Sequence, residues 1–215
     1  MRKSLFRAGA CFVFILVLAV ASAYADKQSA YTIRVSYFDP ESTAAGFTFG
    51  GSAGAVFDDI VTLGVGTDVY FRNFTQDSKV ATQEYIDGSS STLNVTEIQY
   101  TTLIVPLMAE LTVRIPIVWK LSVFGHGGLG FDVMWAKEEN YVEGLTDNRW
   151  YAGFAWMGGA GLSIKLGTDT SLYAEGFYKH SKVKRNRDDL TENMPVFEEV
   201  DLSGLGVRLG VALEL

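Results

Sequence analysis

The feature that most constrains the fold is a strict alternation of side-chain types, seen most clearly in the final segment GLGVRLGVALEL, from Gly204 to Leu215. Odd positions carry Leu or Val, whereas even positions carry Gly, Ala or a charge. Successive side chains of a β-strand point to opposite faces, so this period of two predicts a strand with one aliphatic face. The other face is mostly glycine, with one Arg and one Glu, and this is a poor surface for contact with water.

The same alternation recurs in seven earlier segments, which gives eight predicted strands. These segments are 31–38, 46–57, 60–74, 95–115, 120–137, 150–166 and 170–181. Their connections alternate between short ones, such as FDD and GTD, and long ones at 75–94, 138–149 and 184–200. Short turns at one end and long loops at the other are typical of up-and-down barrels in the outer membrane. An even strand number then places both termini at the short-turn end, which faces the periplasm.

Two eight-stranded architectures fit this pattern. A soluble lipid-binding barrel would turn the aliphatic face inward and leave Gly, Ala, Ser and Met facing water. A transmembrane barrel instead turns the aliphatic face to lipid and packs the small residues into a narrow lumen. Several runs exceed the roughly 9 to 11 residues that cross the hydrocarbon core at a tilt, and Tyr37, Trp135 and Trp150 lie near the long-loop ends. The sequence therefore predicts an all-β fold, an eight-stranded antiparallel up-and-down transmembrane β-barrel.

The first 25 residues have the three parts of a secretory signal peptide: a basic start, an apolar run over 8–20 and the small-residue exit ASAYA. The A-x-A pattern ends at Ala25, so we predict cleavage after this residue. An uncleaved membrane anchor is the alternative, but the apolar run is shorter than the roughly 20 residues of a spanning helix. The predicted organisation is a signal peptide at 1–25 and one barrel domain at 26–215, located in the outer membrane of a Gram-negative-type cell.

Removal of the signal peptide changes the composition of the chain. Cys11 is the only cysteine, so the predicted mature chain has none, which excludes disulfides, thiolate catalysis and cysteine-ligated metals. Three of the 18 basic residues also leave, so that 15 remain against 25 acidic residues, a net charge of −10. An acidic exported protein is not expected to bind nucleic acid. The sequence predicts no cofactor and no metal site.

The polar faces of the predicted strands carry charges of both signs. The charges assigned to the lumen are Arg34, Asp68, Arg72, Glu110, Arg114, Asp132, Lys165, Glu175, Lys179, Arg208 and Glu214. Because an unpaired buried charge is costly, we expect a network of salt bridges that plugs the lumen, with Glu110, Glu175 and Arg208 at its centre. A gated ion path through the same charges is the alternative.

Acid–base catalysis would have to use one of two histidines. His126 lies among glycines on a polar strand face, where it is expected to be hydrogen-bonded or to pair with Asp132. His180 and Ser181 are adjacent, so they face opposite sides of a continuous strand and cannot form a simple dyad. The sequence does not predict an enzyme.

The stretch KHSKVKRNR, residues 179–187, concentrates basic residues in an otherwise acidic chain. One interpretation is a set of contacts with lipopolysaccharide phosphates at the outer-leaflet surface. The candidate contacts are Lys182, Lys184, Arg185 and Arg187. The other interpretation is a solvated strand end that is balanced by Asp188, Asp189 and Glu192.

The closing strand and the repeated Gly-rich polar faces resemble the small outer-membrane β-barrel family that includes the OmpA transmembrane domain and OmpX. The segment from Arg208 to Leu215 matches that family's C-terminal assembly pattern, although it ends in Leu where the family usually has Phe. The resemblance implies insertion by the barrel assembly machinery, with Gly210, Leu213 and Leu215 as the recognised positions. We expect a monomer whose other partners are outer-membrane lipid and lipopolysaccharide.

Two classes of function remain open on this fold. One is a structural or surface-interaction protein, a closed barrel that displays the acidic loops 75–94, 138–149 and 184–200. The other is transport, through a narrow pore or along a lateral route for a small apolar molecule. Function varies in the loops of such a scaffold, and these loops carry no motif that identifies a ligand.

Overall fold

The computed structural model describes residues 28–57, 60–84, 90–140, 145–187 and 196–215, with the backbone alone for 75–84, 90–98, 186–187 and 196–197. The predicted signal peptide and its cleavage site lie outside the described residues. The strands are β1 (Ser29–Pro40), β2 (Gly46–Phe57), β3 (Val61–Glu84), β4 (Ser90–Val118), β5 (Leu121–Asn140), β6 (Leu145–Lys165), β7 (Thr170–Arg187), β8 (Val196–Asp201) and β9 (Gly204–Glu214). Among the described residues, no helix is long and apolar enough to span a membrane.

The strands form one closed antiparallel barrel. Each of β1 to β7 pairs with the next strand along the chain, and β9 pairs with both β7 and β1. β8 and β9 are two parts of a single eighth strand, because their register against β7 does not change between the pair Lys182 and Asp201 and the pair Lys179 and Gly204. The prediction of an eight-stranded antiparallel barrel is therefore confirmed, including closure of the last strand against the first.

The strands are staggered as they close. A path of directly paired residues runs once around the barrel through Ala30, Gly54, Gly64, Glu110, Gly128, Met157, Lys179, Gly204 and Pro40. It starts at Ala30 and returns to β1 at Pro40, ten residues further along the strand. Such a stagger requires tilted strands, at roughly 35–45° to the axis in barrels of this kind. It also determines which lumen side chains reach the same height.

The two strand faces point as the alternation predicts. Ile33, Leu129 and Val207 on the aliphatic face are 72%, 60% and 62% exposed, whereas Arg34 and Arg208 on the polar face are 5% and 2% exposed. In a lipid bilayer the aliphatic side chains contact hydrocarbon and no water is available to the backbone, so a closed barrel in which strand pairs with strand all the way round is the stable arrangement.

Glycines on the lumen face leave room for long side chains from neighbouring strands. A Cβ added at Gly66 would collide with the carboxylate of Glu110, and one added at Gly159 would collide with the carboxylate of Glu175. By contrast, a Cβ at the outward-facing Gly158 would meet nothing within 4 Å. The glycine-rich face predicted from the sequence therefore provides the space in which the lumen charges pack.

The predicted long loops are largely strand, and this corrects the sequence interpretation. β3 and β4 pair as far as Glu84 and Ser90, β5 and β6 pair as far as Asn140 and Leu145, and β7 pairs with β8. The alternation of side-chain types fades in these extensions because their sequences are mostly polar at odd and even positions alike. Backbone pairing continues nevertheless, with register shifts in β3 near residues 76–77 and 79–81.

We expect Gly159→Ala to destabilise the barrel by about 1–3 kcal/mol, because overpacking forces the Glu175 carboxylate out of place. The matched control is Gly158→Ala on the adjacent, lipid-facing position, where we expect a change within about 0.5 kcal/mol. The measurement is urea unfolding in lipid vesicles, followed by tryptophan fluorescence. Equal stability of the two variants would contradict this account of the lumen glycines.

Candidate functional site

Six charged side chains meet in the lumen and form a closed ring of contacts. The ring starts at Arg34 on β1, whose Nε donates to Asp68 Oδ1 on β3 at 2.7 Å. The two terminal nitrogens of the same guanidinium donate to the two oxygens of Glu110 on β4, at 2.9 and 2.5 Å. Arg34 therefore joins two carboxylates, one of them through the bidentate geometry that makes Arg–carboxylate pairs strong.

Arg208 on β9 joins Asp68 to a third carboxylate, that of Glu175. Its Nη2 donates to Asp68 Oδ2 at 2.8 Å and its Nη1 donates to Glu175 Oε2 at 3.1 Å. Its Nε donates to the hydroxyl of Ser36 at 3.2 Å, and its guanidinium lies 4.5 Å from the centre of the Phe177 ring. Each of the two guanidinium groups therefore bridges two carboxylates.

His126 on β5 closes the ring. Its Nδ1 lies 2.9 Å from Glu175 Oε1 and its Nε2 lies 3.7 Å from Glu110 Oε2. Cationic and anionic groups therefore alternate around the ring, in the order Arg34, Asp68, Arg208, Glu175, His126 and Glu110. Two guanidiniums and the imidazole face three carboxylates, so the ring is neutral when the imidazole carries its second proton. We call this set the charge ring.

Most of the charge ring is removed from solvent, while the side chain of Asp68 is 13% exposed. Glu110, Glu175 and Arg208 are each 5% exposed or less, and His126 is 8% exposed. Burial of a charge costs several kcal/mol, and a charged pair remains favourable only when good geometry and further hydrogen bonds compensate for lost hydration. The closed cycle provides this compensation, since every member contacts two others of opposite sign.

Two more ion pairs lie in the lumen outside the charge ring. Lys179 Nζ contacts Asp132 Oδ2 at 2.7 Å, four residues further along β7 than Glu175. Arg114 pairs with Glu214 at the barrel end that carries both termini. The predicted alternative in which His126 pairs with Asp132 is wrong, because Lys179 occupies that position and His126 contacts Glu110 and Glu175.

Arg72 and Lys165 were assigned to the lumen by parity, but both are exposed. Arg72 lies on β3 beyond Tyr70, the last residue of β3 that pairs with β2, so it is above the closed part of the barrel. Lys165 is the last residue of β6 and lies at the opposite end. Parity predicts the face of a side chain and not its height along the barrel axis.

The chain matches the family model of the outer membrane protein beta-barrel domain over residues 10–212. The chain belongs to this family. It is thus an outer-membrane β-barrel protein, and this confirms the resemblance that the closing strand and the Gly-rich faces predicted. A search of curated protein sequences gave no match.

Solved structures support the fold. The outer membrane protein OprG from Pseudomonas aeruginosa is similar with 13% identity and a TM-score of 0.51, over 88% of this chain and 97% of that chain. A major outer membrane protein from Thermus thermophilus is similar with 11% identity and a TM-score of 0.52, over 87% of this chain and 99% of that chain. At this level of identity the likeness concerns the fold alone.

In this outer-membrane barrel the predicted lipopolysaccharide contacts lie on the extension formed by β7 and β8. Lys184 Nζ contacts Glu199 Oε2 at 2.8 Å, while Lys182 Nζ lies 3.6 Å from Glu199 and 3.5 Å from Asp201. The hydrogen bond from Lys184 holds the pKa of the Glu199 carboxyl below its usual range. A phosphate would therefore have to share these lysines with carboxylates, and lipopolysaccharide contact stays a prediction.

Arg185 does not share a strand face with Lys182 and Lys184. It is half-buried, and the side chain of Arg187 is outside the described residues. Asp188, Asp189 and Glu192, the predicted balancing acids, are also outside them. Among the described residues the balancing acids are Glu199 and Asp201 on β8.

His180 forms a contact that sequence reasoning did not find. Its Nδ1 lies 2.9 Å from the hydroxyl of Ser203, which is 2% exposed and also accepts a hydrogen bond from the backbone N–H of Ser181 at 3.2 Å. Ser203 lies in the interruption between β8 and β9. The Ser203 hydroxyl therefore links the interruption to β7. Because this hydroxyl is buried, a substrate cannot reach it.

A second network of charges ties the strand extensions together. Arg149 on β6 contacts Asp147 at 2.7 Å, Glu138 on β5 at 3.0 Å and Glu198 on β8 at 3.6 Å. The hydroxyl of Tyr100 on β4 donates to Glu138 at 3.1 Å. The hydrogen bond from Arg149 lowers the pKa of the Asp147 carboxyl. Four strands are therefore linked above the lipid.

The predicted assembly positions lie on β9 and at the residue that follows it. A Cβ at Gly210 would collide with the ring of Tyr173, so this glycine has a packing role in the folded barrel. Leu213 and Leu215 are 36% and 71% exposed. Recognition of these three residues by the barrel assembly machinery stays a prediction.

We expect Arg208→Met to lower the free energy of unfolding by about 3–5 kcal/mol, because it leaves the carboxylates of Asp68 and Glu175 buried with one cationic partner fewer. The matched control is Lys184→Met, which removes an exposed ion pair and should cost about 0–1 kcal/mol. Urea unfolding in lipid vesicles measures both. A loss for Arg208→Met no larger than that of the control would show that the charge ring does not support the fold.

Proposed function

We propose that this outer-membrane barrel is a closed, non-conducting protein with a structural or surface-interaction role, which displays its strand extensions outside the cell. The observation that carries the proposal is the charge ring. It lies between two separate cavities of about 60 and 30 Å³. Ring members line both cavities, which supports a ring that occupies the cross-section that a pore would need.

A narrow pore through the charge ring is the alternative, and the geometry makes it costly. Passage of an ion requires that contacts such as those of Arg34 with Asp68 and Glu110 separate. Breaking a buried ion pair leaves a charge without compensation and costs about 3–5 kcal/mol. Because each member is shared by two contacts, opening at one point disturbs the neighbouring pairs as well.

The extensions support a role in surface interaction. They raise three paired hairpins above the lipid, and the contacts of Arg149 and Tyr100 hold β4, β5, β6 and β8 in fixed relation. A rigid scaffold that presents variable segments is the usual arrangement for binding on small barrels. The extensions therefore provide a preformed binding surface that needs no conformational change of the membrane-spanning strands.

Single-channel recording in a planar lipid bilayer tests the closed state. We expect the folded protein to insert and give no discrete conductance steps, because the charge ring occupies the lumen. Insertion is checked by the shift in gel mobility between unheated and heated samples recovered from the same lipid, and a known porin in the same bilayer is the positive control. Reproducible steps from the unchanged protein would favour the pore and would overturn the proposal.

A further inference from the structure

We infer that the lumen is closed by two barriers in series, the charge ring and an apolar seal on its extracellular side, with an isolated chamber between them. The inference rests on the proposed closed state and goes beyond it, because it assigns a second, independent barrier of a different chemical kind. The second barrier is a cluster of six side chains that we call the apolar seal: Tyr70, Ile104, Met134, Tyr151, Val183 and Leu202.

The apolar seal is as well buried as the charge ring. Tyr70 and Ile104 are each 2% exposed, and Val183 and Leu202 are fully buried. Its members come from β3, β4, β5, β6, β7 and the interruption between β8 and β9, and the connection between β1 and β2 contacts the cluster through the carbonyl of Ala44. A hydrophobic constriction blocks ions because water leaves it, and this mechanism does not require any charge to be paired.

Leu202 lies in the interruption of the eighth strand and has the same parity as Gly204 and Arg208 on the lumen face. Its backbone N–H still donates to Ser181 O at 2.8 Å, and the next carbonyl, of Ser203, accepts from the backbone N–H of Glu41 at 2.8 Å. On the far side of the seal, the hydroxyl of Tyr70 donates to the carbonyl of Ala44 at 2.5 Å. These hydrogen bonds therefore fix the seal to the connection between β1 and β2.

Between the two barriers lies the smaller cavity of about 30 Å³, which we call the inner chamber. Asp68 and Arg208 of the charge ring and Tyr70 and Leu202 of the apolar seal line it, together with Thr48. Thr48 is 4% exposed, and its hydroxyl has no hydrogen-bond partner among the described residues. The chamber has room for about two water molecules, and such a water would satisfy this hydroxyl.

On the other side of the charge ring, the larger cavity of about 60 Å³ is a periplasmic vestibule. It is lined by Thr62, Ser163, Arg114 and Glu214 and extends to Ala30 at the start of β1. Polar side chains lie in its lining beside apolar ones, and it lies at the barrel end that carries the termini, where we expect water to reach it from the periplasm. The charge ring thus faces the vestibule on one side. On the other side it faces the inner chamber, which Lys179 also lines and which ends at the apolar seal.

Cysteine accessibility tests the two barriers, and the predicted absence of cysteine from the mature chain makes each introduced thiol unique. Thr48→Cys reports on the inner chamber and Thr62→Cys reports on the vestibule. The folded proteins in liposomes are treated with a charged maleimide on both sides of the membrane. We expect Thr62→Cys to be labelled and Thr48→Cys to be protected until heat unfolds the barrel. Labelling of Thr48→Cys in the otherwise unchanged folded barrel would overturn the inference.

Opening each barrier separately then distinguishes them. Arg34→Ser combined with Glu110→Ser removes part of the charge ring, and Leu202→Ala opens the apolar seal. We expect either change to abolish the protection of Thr48→Cys, while only the combination of both changes gives conductance in a planar bilayer. Every variant is first checked for folding by its heat-dependent gel mobility, and the comparison of Thr48→Cys with Thr62→Cys tests the inference even where an opened variant does not fold.

The outcomes separate this inference from the proposed function. If the ring variant conducts while the unchanged protein gives no conductance, the apolar seal is no barrier. This result would overturn the inference, and the proposed closed state would stand. Conductance of the unchanged protein would overturn the proposed function itself. Silence of both single variants and conductance of the combination would support two barriers in series.

Discussion

The pairing of buried charges across the lumen is the interaction on which the rest of this barrel depends. An eight-stranded barrel is too narrow to hold a broad water channel, so each charge that points inward must find its partner among side chains. Here the partners come from six strands and form a cycle. The cycle works only because the strands are staggered by ten residues around the barrel, from Ala30 to Pro40, which brings residues such as Arg34, Glu110 and Glu175 to a common height.

The same constraint explains the glycines. A side chain as long as Glu110 or Glu175 needs space on the neighbouring strand, and Gly66 and Gly159 provide it. The absence of a Cβ weakens strand preference, but a closed barrel in lipid compensates, since every backbone group that is not paired in hydrocarbon would cost several kcal/mol. Glycine on the polar face and aliphatic residues on the other face are thus two consequences of one architecture.

The period-two alternation was sufficient to predict the fold, the direction of both faces and the closure of the last strand on the first. It was not sufficient for the site. Parity assigned Arg72 to the lumen because the face is correct, yet this residue lies above the rim. The membership of His126 in the charge ring depends on the register of β5 against β4 and β6, which no local pattern contains. The extensions were predicted as loops because the alternation fades where neither face contacts lipid.

The chemistry of the lumen changes along its axis, and this asymmetry has a physical reason. A ring of ion pairs excludes other ions only while its pairs stay intact, and a competing ion or a proton weakens them. An apolar cluster is insensitive to such competition because it acts by excluding water. The seal that includes Tyr70 and Leu202 lies on the side exposed to the environment outside the cell, where ionic strength and pH are not controlled. The seal therefore shields the charge ring on that side, while the other side of the ring lines the vestibule.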